Sequence, residues 1–306
     1  MRKFLVGGVF LLTLNLVGIS QTCFENAKED KPQMSEAMRK TYETQLAEAR
    51  ARFEEMPHNA EAMIWLGRRT AYIGNYRESI RIFTKGIEKN QSDARFYRHR
   101  GHRFITLRCF DDAIIDLKKA DELTFGKSDE IEPDGLPNKR NTPTSTLQTN
   151  IWYHLGLAYY LKGDFDRSAA AFMGCFNRAK NPDMQVAAAH WVYMSVRRYN
   201  KEKDAKRFIN REIKDGLDII ENDDYYKLVK LYQGKVKAEV LLKEIGSNAN
   251  TLGNASMGYG LGNWFLYNGE KEEATRIFRQ ITAGDQWASF GYIAAEAELS
   301  RRKHDG

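Results

Sequence analysis

Ala60-Glu61-Ala62-Met63-Ile64-Trp65-Leu66-Gly67 opens a helix that runs to Ile73, and Gly74-Asn75 breaks it. Tyr76 to about Lys89 then carries Ile80, Phe83 and Ile87 at the spacing of a second helix. Apolar residues three and four apart give each helix one buried stripe. Two such helices joined by a short glycine turn make an αα-hairpin. The unit recurs: Leu66, Gly67, Tyr76, Ser79, Phe83 and Gly86 correspond to Arg100, Gly101, Phe110, Ala113, Leu117 and Ala120. It returns as Trp152, Leu155, Gly156, Tyr159, Gly163-Asp164-Phe165, Ser168, Phe172 and Cys175. Near the C-terminus it returns again as Leu261-Gly262, Phe265, Gly269, Ala274, Phe278 and Ile281.

Packing explains the pattern. Gly67, Gly101, Gly156 and Gly262 let the two helices of a hairpin approach closely, Ala113, Ser168 and Ala274 do the same from the second helix, and aromatics fill the space between hairpins. No unit buries its apolar face alone, so stacking is obligatory. A period of about 34 residues with this order of large, small and glycine positions resembles the tetratricopeptide repeat. The resemblance implies an all-α, right-handed superhelical solenoid of five or six hairpins. Between the clear units, Val192, Val196, Ala205 and Ile209 fit one hairpin with a turn at Tyr199-Asn200. Tyr225, Val229, Ala238 and Leu242 fit another with a turn at Gln233-Gly234. The expected organisation is a signal peptide over 1–20, a helical segment over 21–59, two hairpins over 60–125, a loop insertion over 126–146, and further hairpins with a capping helix over 147–300. In that last helix Trp287, Tyr292 and Ala295 are expected to cover the stack while Glu296, Glu298, Arg301 and Arg302 face water. The loop, with Pro133, Gly135, Pro137 and Pro143, reads either as a variable surface insertion or as a flap over the concave side.

Met1-Arg2-Lys3 followed by an apolar run from Phe4 to Ile19 has the form of a secretory signal, with cleavage expected after Ser20. Export to a periplasm or to the medium follows. The alternative is a lipid anchor on Cys23, although Ser20-Gln21-Thr22 suits such processing poorly. No other stretch is long enough to span a bilayer. The formal charge of +6 on 306 residues is a mild basic excess. Cys23, Cys109 and Cys175 form no complete set of pairs and no Cys-x-x-Cys spacing for zinc or redox work.

No catalytic constellation can be read. Gly258-Tyr259-Gly260-Leu261-Gly262 follows no strand, so it signals close helix packing rather than a phosphate loop. Asp111-Asp112 and Asp223-Asp224 start helices, where the positive helix end favours them. No cofactor is expected. His99 and His154 share a repeat position and are expected to be neighbours, but the surrounding arginines disfavour a metal.

Arg95-Phe96-Tyr97-Arg98-His99-Arg100-Gly101-His102-Arg103 is the one strongly basic stretch. The repeat register divides it. The tetratricopeptide resemblance implies a concave peptide groove lined by Arg68 and Tyr72 beside Ile64, then Arg95, Arg98 and His102, then Asn150, Tyr153, Leu157 and Tyr160. A cationic wall beside an aromatic one suits an acidic peptide or a chain's terminal carboxylate. Ile64 and Arg68 stand where the family's carboxylate clamp has other residues, so that clamp is not expected. Arg100 falls on a buried position and needs a partner, for which Asp112 and Asp116 are the candidates. The function expected is a non-catalytic protein-interaction scaffold without a nucleic-acid partner; the rival reading of the basic stretch is an RNA-binding helical repeat.

Overall fold

Helix follows helix through residues 20–133, 135–199, 201–246 and 252–304, which the computed structural model describes. The expected signal segment lies outside these residues apart from Ser20. The helices are α1 (Ser20–Asn26), α2 (Glu36–Glu55), α3 (Ala60–Tyr72), α4 (Tyr76–Lys89), α5 (Ala94–Thr106), α6 (Phe110–Thr124), α7 (Leu147–Lys162) and α8 (Phe165–Arg178). They continue as α9 (Pro182–Arg197), α10 (Glu202–Glu212), α11 (Asp223–Tyr232), α12 (Ala238–Ile245), α13 (Leu252–Tyr267), α14 (Lys271–Thr282) and α15 (Phe290–His304). The pairs α3–α4, α5–α6, α7–α8, α9–α10 and α13–α14 pack as antiparallel hairpins, whereas α11 packs on α9 and α13, and α12 on α13, so the hairpin expected over Tyr225–Leu242 does not close on itself. Among the described residues no helix is long and apolar enough to cross a membrane.

Local chemistry sets the helix ends. The Asn59 side chain accepts the Ala62 N–H at 2.9 Å, and Asn181 does the same for Met184 at 2.9 Å ahead of Pro182. Thr146 and Thr149 form a reciprocal capping box at α7. Gly74, Gly163, Gly234 and Gly269 take left-handed backbone in the turns between helices. Arg108 occupies the corresponding turn between α5 and α6 with φ 64°, a conformation that costs a side-chain-bearing residue about 1 kcal/mol. Its guanidinium offsets this by stacking on Trp287, 4.0 Å from the ring centre, and donating to Glu296 at 2.7 Å.

Inside the hairpins, the rings of Phe172 and Phe278 lie 2.7 Å from where a Cβ on Gly156 or Gly262 would stand. Buried Ser79 and Ser168 donate to the Gly67 and Gly156 carbonyls at 2.7 and 3.0 Å. In these two hairpins the small residue on the second helix is thus also a hydrogen-bond donor to the first. Arg100 forms the expected buried pair, gripping Asp116 at 2.7 and 2.8 Å.

Two expectations are corrected and one open point is resolved. First, Glu298 does not face water. Helix α15 turns inward against α13, α14 and α7, leaving Glu298 2% exposed between Arg198 and Arg301, each at 2.6 Å. Gly291 lies so close to the Ala255 backbone that no side chain would fit. Second, Cys23 and Cys109 form a disulfide, with Cα atoms 5.8 Å apart, that fastens α1 beside the start of α6. Cys175 remains a buried thiol, its pKa pushed up to about 12 by burial. Third, His99 does not meet His154. It stacks on Phe83, and His102 instead lies against His154 with ring centres 4.3 Å apart.

Candidate functional site

Residues 126–133 and 135–146 lie across the inner side of the stack as a strap. The strap is closed at its base, where Ile131 bridges Thr146 and the Leu147 N–H reaches the Glu130 carbonyl at 2.8 Å. Arg68 and Arg69 hold it from α3 by donating to the Pro133 and Gly135 carbonyls at 2.8 and 2.9 Å. From α5, Arg98 pairs with Glu132 at 2.9 Å, both side chains being 8% exposed. Gly135 presses on the Tyr72 hydroxyl so tightly that only glycine fits. The far side of the strap is tied to the segment before α11. Thr144 donates to Glu221, and Arg140 grips Asp218 at 2.6 and 2.9 Å. That segment is itself fixed by buried Asp183, whose carboxylate accepts the N–H groups of Ile220, Glu221 and Asn222 at 2.9 to 3.0 Å. The flap reading of this loop therefore describes its position.

Two adjoining cavities lie behind the strap. The first, about 260 Å³, is lined by Arg68, Tyr72, Arg98, His99, His102, Arg103, Glu132 and Asn150. The second, about 570 Å³, shares His102, Ser145 and Asn150 with it and adds Tyr153, His154, Glu221, Asp224, Tyr225 and Phe290. Of the residues expected in the groove, Arg68, Tyr72, Arg98, His102, Asn150 and Tyr153 are brought together here.

The remaining three are not. Arg95 is engaged at the stack's edge by Asp93 at 2.6 Å and by Glu61 of the preceding hairpin at 2.7 Å. Leu157 and Tyr160 are fully buried. They were expected to line the groove, but they are sealed in the core, where residues of α13 cover Tyr160. The Tyr160 hydroxyl accepts from Tyr259 at 2.8 Å and from Asn263 at 3.0 Å. Burial in that setting raises its pKa to about 12.

Charge in the first cavity is unbalanced. Arg68, Arg98 and Arg103 face one carboxylate among the described residues, that of Glu132. Arg103 has no ion pair among the described residues; the Tyr76 ring lies 5.8 Å from its guanidinium carbon. Burial and the neighbouring arginines lower its pKa to about 10, the tyrosines opposing, so it stays a cation at neutral pH. His99, His102 and His154 are held neutral, their pKa values pushed well below the ordinary value first by burial and then by these arginines. Sequence reasoning missed Arg103, Glu132 and Asp224. Arg103 ends the basic stretch that begins at Arg95 but was given no role by the repeat register, whereas no helical register places a loop residue such as Glu132.

A larger cavity of about 620 Å³ lies beside the disulfide, between α1 and α15. Its charged residues are already partnered: Lys28 with Asp30, Arg108 with Glu296, Lys162 with Asp111. Cys23, Cys109 and Asp112 are clustered there, but the two sulfurs are bonded to each other and are no metal ligands.

No protein-family model and no curated protein matches the chain. Among solved structures it is similar to YrrB, a TPR protein with an unusual peptide-binding site, at 13% identity over 84% of this chain and 97% of that one, with a TM-score of 0.42. It is similar to MamA at 16% identity over 59% and 94% of the two chains, TM-score 0.44. A putative kinesin light chain of Podosopora anserina with nearly identical TPR-like repeats gives 12% identity over 80% and 98%, TM-score 0.44. The site residues described above are placed by this chain's own geometry and not by these likenesses.

Proposed function

We propose that the protein is an exported, non-catalytic scaffold that holds a protein or peptide segment by a carboxylate on the inner face of its first three hairpins. The charge imbalance carries this reading. Three arginines share a small cavity with one carboxylate among the described residues, and a desolvated cation gains most from a hydrogen-bonded anion. Guanidinium forks match a carboxylate's two oxygens, and the volume suits one acidic group with its neighbouring atoms. An extended phosphate backbone needs a continuous basic track, whereas these cations are gathered behind a strap, which disfavours the RNA reading.

The Cys23–Cys109 disulfide supports export, because such bonds persist in oxidising compartments. It also disfavours the lipid anchor, since the Cys23 sulfur cannot carry a thioether and the disulfide together. Mass spectrometry of the native protein is expected to find a mature N-terminus near Gln21 and an intact disulfide; an acylated Cys23 would overturn this part. Calorimetry with synthetic peptides bearing free or amidated C-termini tests the binding. Free carboxylates are expected to bind better, and Arg103→Gln to weaken them by about tenfold or more. Equal affinity of the variant and the parent sinks the reading.

A further inference from the structure

The second cavity has the opposite need. Asp224 lines it half-buried, and among the described residues it makes no hydrogen bond or ion pair. The N-terminus of α11 favours a carboxylate at this place, yet burial still raises the Asp224 pKa, so the helix end and Lys227 do not fully compensate it. His154 is an independent witness. It is 4% exposed and lines the same cavity. Its Nδ1 lies 2.6 Å from the Asn150 carbonyl, which can only accept, so Nδ1 carries the proton. Nε2 is then a bare acceptor, and it has no partner. A buried acceptor left unmade costs free energy that a donor would recover. The unpaired Asp224 carboxylate and the His154 ring therefore line one space, together with the rings of Tyr153, Tyr225 and Phe290. Negative charge and aromatic faces together complement an alkylammonium or guanidinium.

We infer that the cavity lined by Asp224 and His154 is a subsite for a protonated amine or guanidinium, so that the bound peptide carries a positive group upstream of the carboxylate held by Arg68, Arg98 and Arg103. This rests on the peptide-binding reading above and deepens it: the ligand is bipolar, and the shared residues His102, Ser145 and Asn150 mark where its two ends meet. The positive group is either a lysine or arginine side chain or the peptide's own amino terminus.

Calorimetry of the disulfide-bonded protein with short synthetic peptides separates the possibilities. Each peptide ends in a free or amidated carboxylate, carries lysine or norleucine at successive upstream positions, and has a free or acetylated amino terminus. At one upstream position, lysine is expected to bind about tenfold better than norleucine, or a free amine about tenfold better than an acetylated one. Asp224→Asn keeps the side chain's size and its place at the helix end, and should reduce that preference to about twofold or less while leaving the free-over-amidated preference intact. A carboxylate preference with no preference for a positive group overturns the inference and leaves the peptide-binding reading standing. A preference for a positive group that persists in Asp224→Asn also overturns it. A preference for a positive group, lost in Asp224→Asn but without any carboxylate preference, supports the subsite and overturns the arginine reading. The comparison of peptides on the parent protein needs no variant to fold.

Discussion

Two carboxylates are buried among arginines on the inner side of this stack, and they are held in different ways. Glu298 sits on a helix that is packed on three sides, and one of its oxygens receives both Arg198 and Arg301. Glu132 sits on a loop, its Oε1 meets Arg98, and its other oxygen has no partner. In the C-terminal half the solenoid supplies its own counter-ion and seals it. In the N-terminal half it supplies a partial one, carried on a loop rather than a helix. The same chemistry is mounted on a packed helix in one place and on a strap in the other. Both carboxylates are well buried, so exposure alone does not separate the cases; what each is mounted on does.

The sharpest way to break this comparison is Glu298→Gln. Removing one member of a buried ionic group leaves the other charges uncompensated, at a cost of about 3–5 kcal/mol. Chemical denaturation should show this loss; less than about 1 kcal/mol would mean that the C-terminal closure is not held by this group. Next in size is the fastening of the other end. Reducing Cys23–Cys109, which closes a long loop, should cost about 2–4 kcal/mol. Denaturation curves with and without reductant measure it, and coincident curves would show that α1 stays docked through its other contacts, such as Arg77 with the Phe24 carbonyl.

The first two units could be read because their signals are local. The leucine-glycine pair and turn glycine of the first unit and the small residue on each second helix fixed the register, and the register put Arg100 inward with Asp112 and Asp116 as candidate partners, of which Asp116 is the one it grips. What could not be read shares one cause: it depends on contacts distant in sequence. Glu298 is charged and lies near the C-terminus, so it was assigned to solvent; only the inward turn of α15 buries it. His99 and His102 differ by about one helical turn, and a small error in the facing of α5 exchanges which of them meets His154. Leu157 and Tyr160 were expected to line the groove, but they are sealed in the core, where residues of α13 cover Tyr160. Cys23 and Cys109 carry no pairing signal in a chain with a third cysteine.

Histidine 190 sharpens the comparison from the sealed side. It is fully buried, its Nδ1 lies 3.0 Å from the Tyr232 hydroxyl, and burial lowers its pKa from 6.5 to about 3. Between those values the unfolded chain binds a proton that the folded chain refuses. Stability is therefore lost as pH falls from about 6.5 toward 3, by about 1.4 kcal/mol per pH unit from this residue. Unfolding free energies measured at pH 7, 6 and 5 should fall less steeply in His190→Phe by about that amount per unit. An unchanged slope would mean that water reaches this part of the core.

The smallest expected effect decides the comparison most directly. Glu132→Gln removes the strap's charge while keeping its shape. If the strap can yield, water and ions reach Arg98, and the loss in stability should be about 1 kcal/mol, well below that of Glu298→Gln although the two carboxylates are similarly buried. The same variant should bind free-carboxylate peptides more tightly, because Glu132 no longer competes for Arg98. A stability loss equal to that of Glu298→Gln, with no gain in peptide affinity, would make Glu132 a structural counter-ion like its C-terminal counterpart. A small loss with a gain would make it a resident stand-in for the ligand's carboxylate, which a static arrangement of three arginines and one half-satisfied glutamate requires if the cavity is to open.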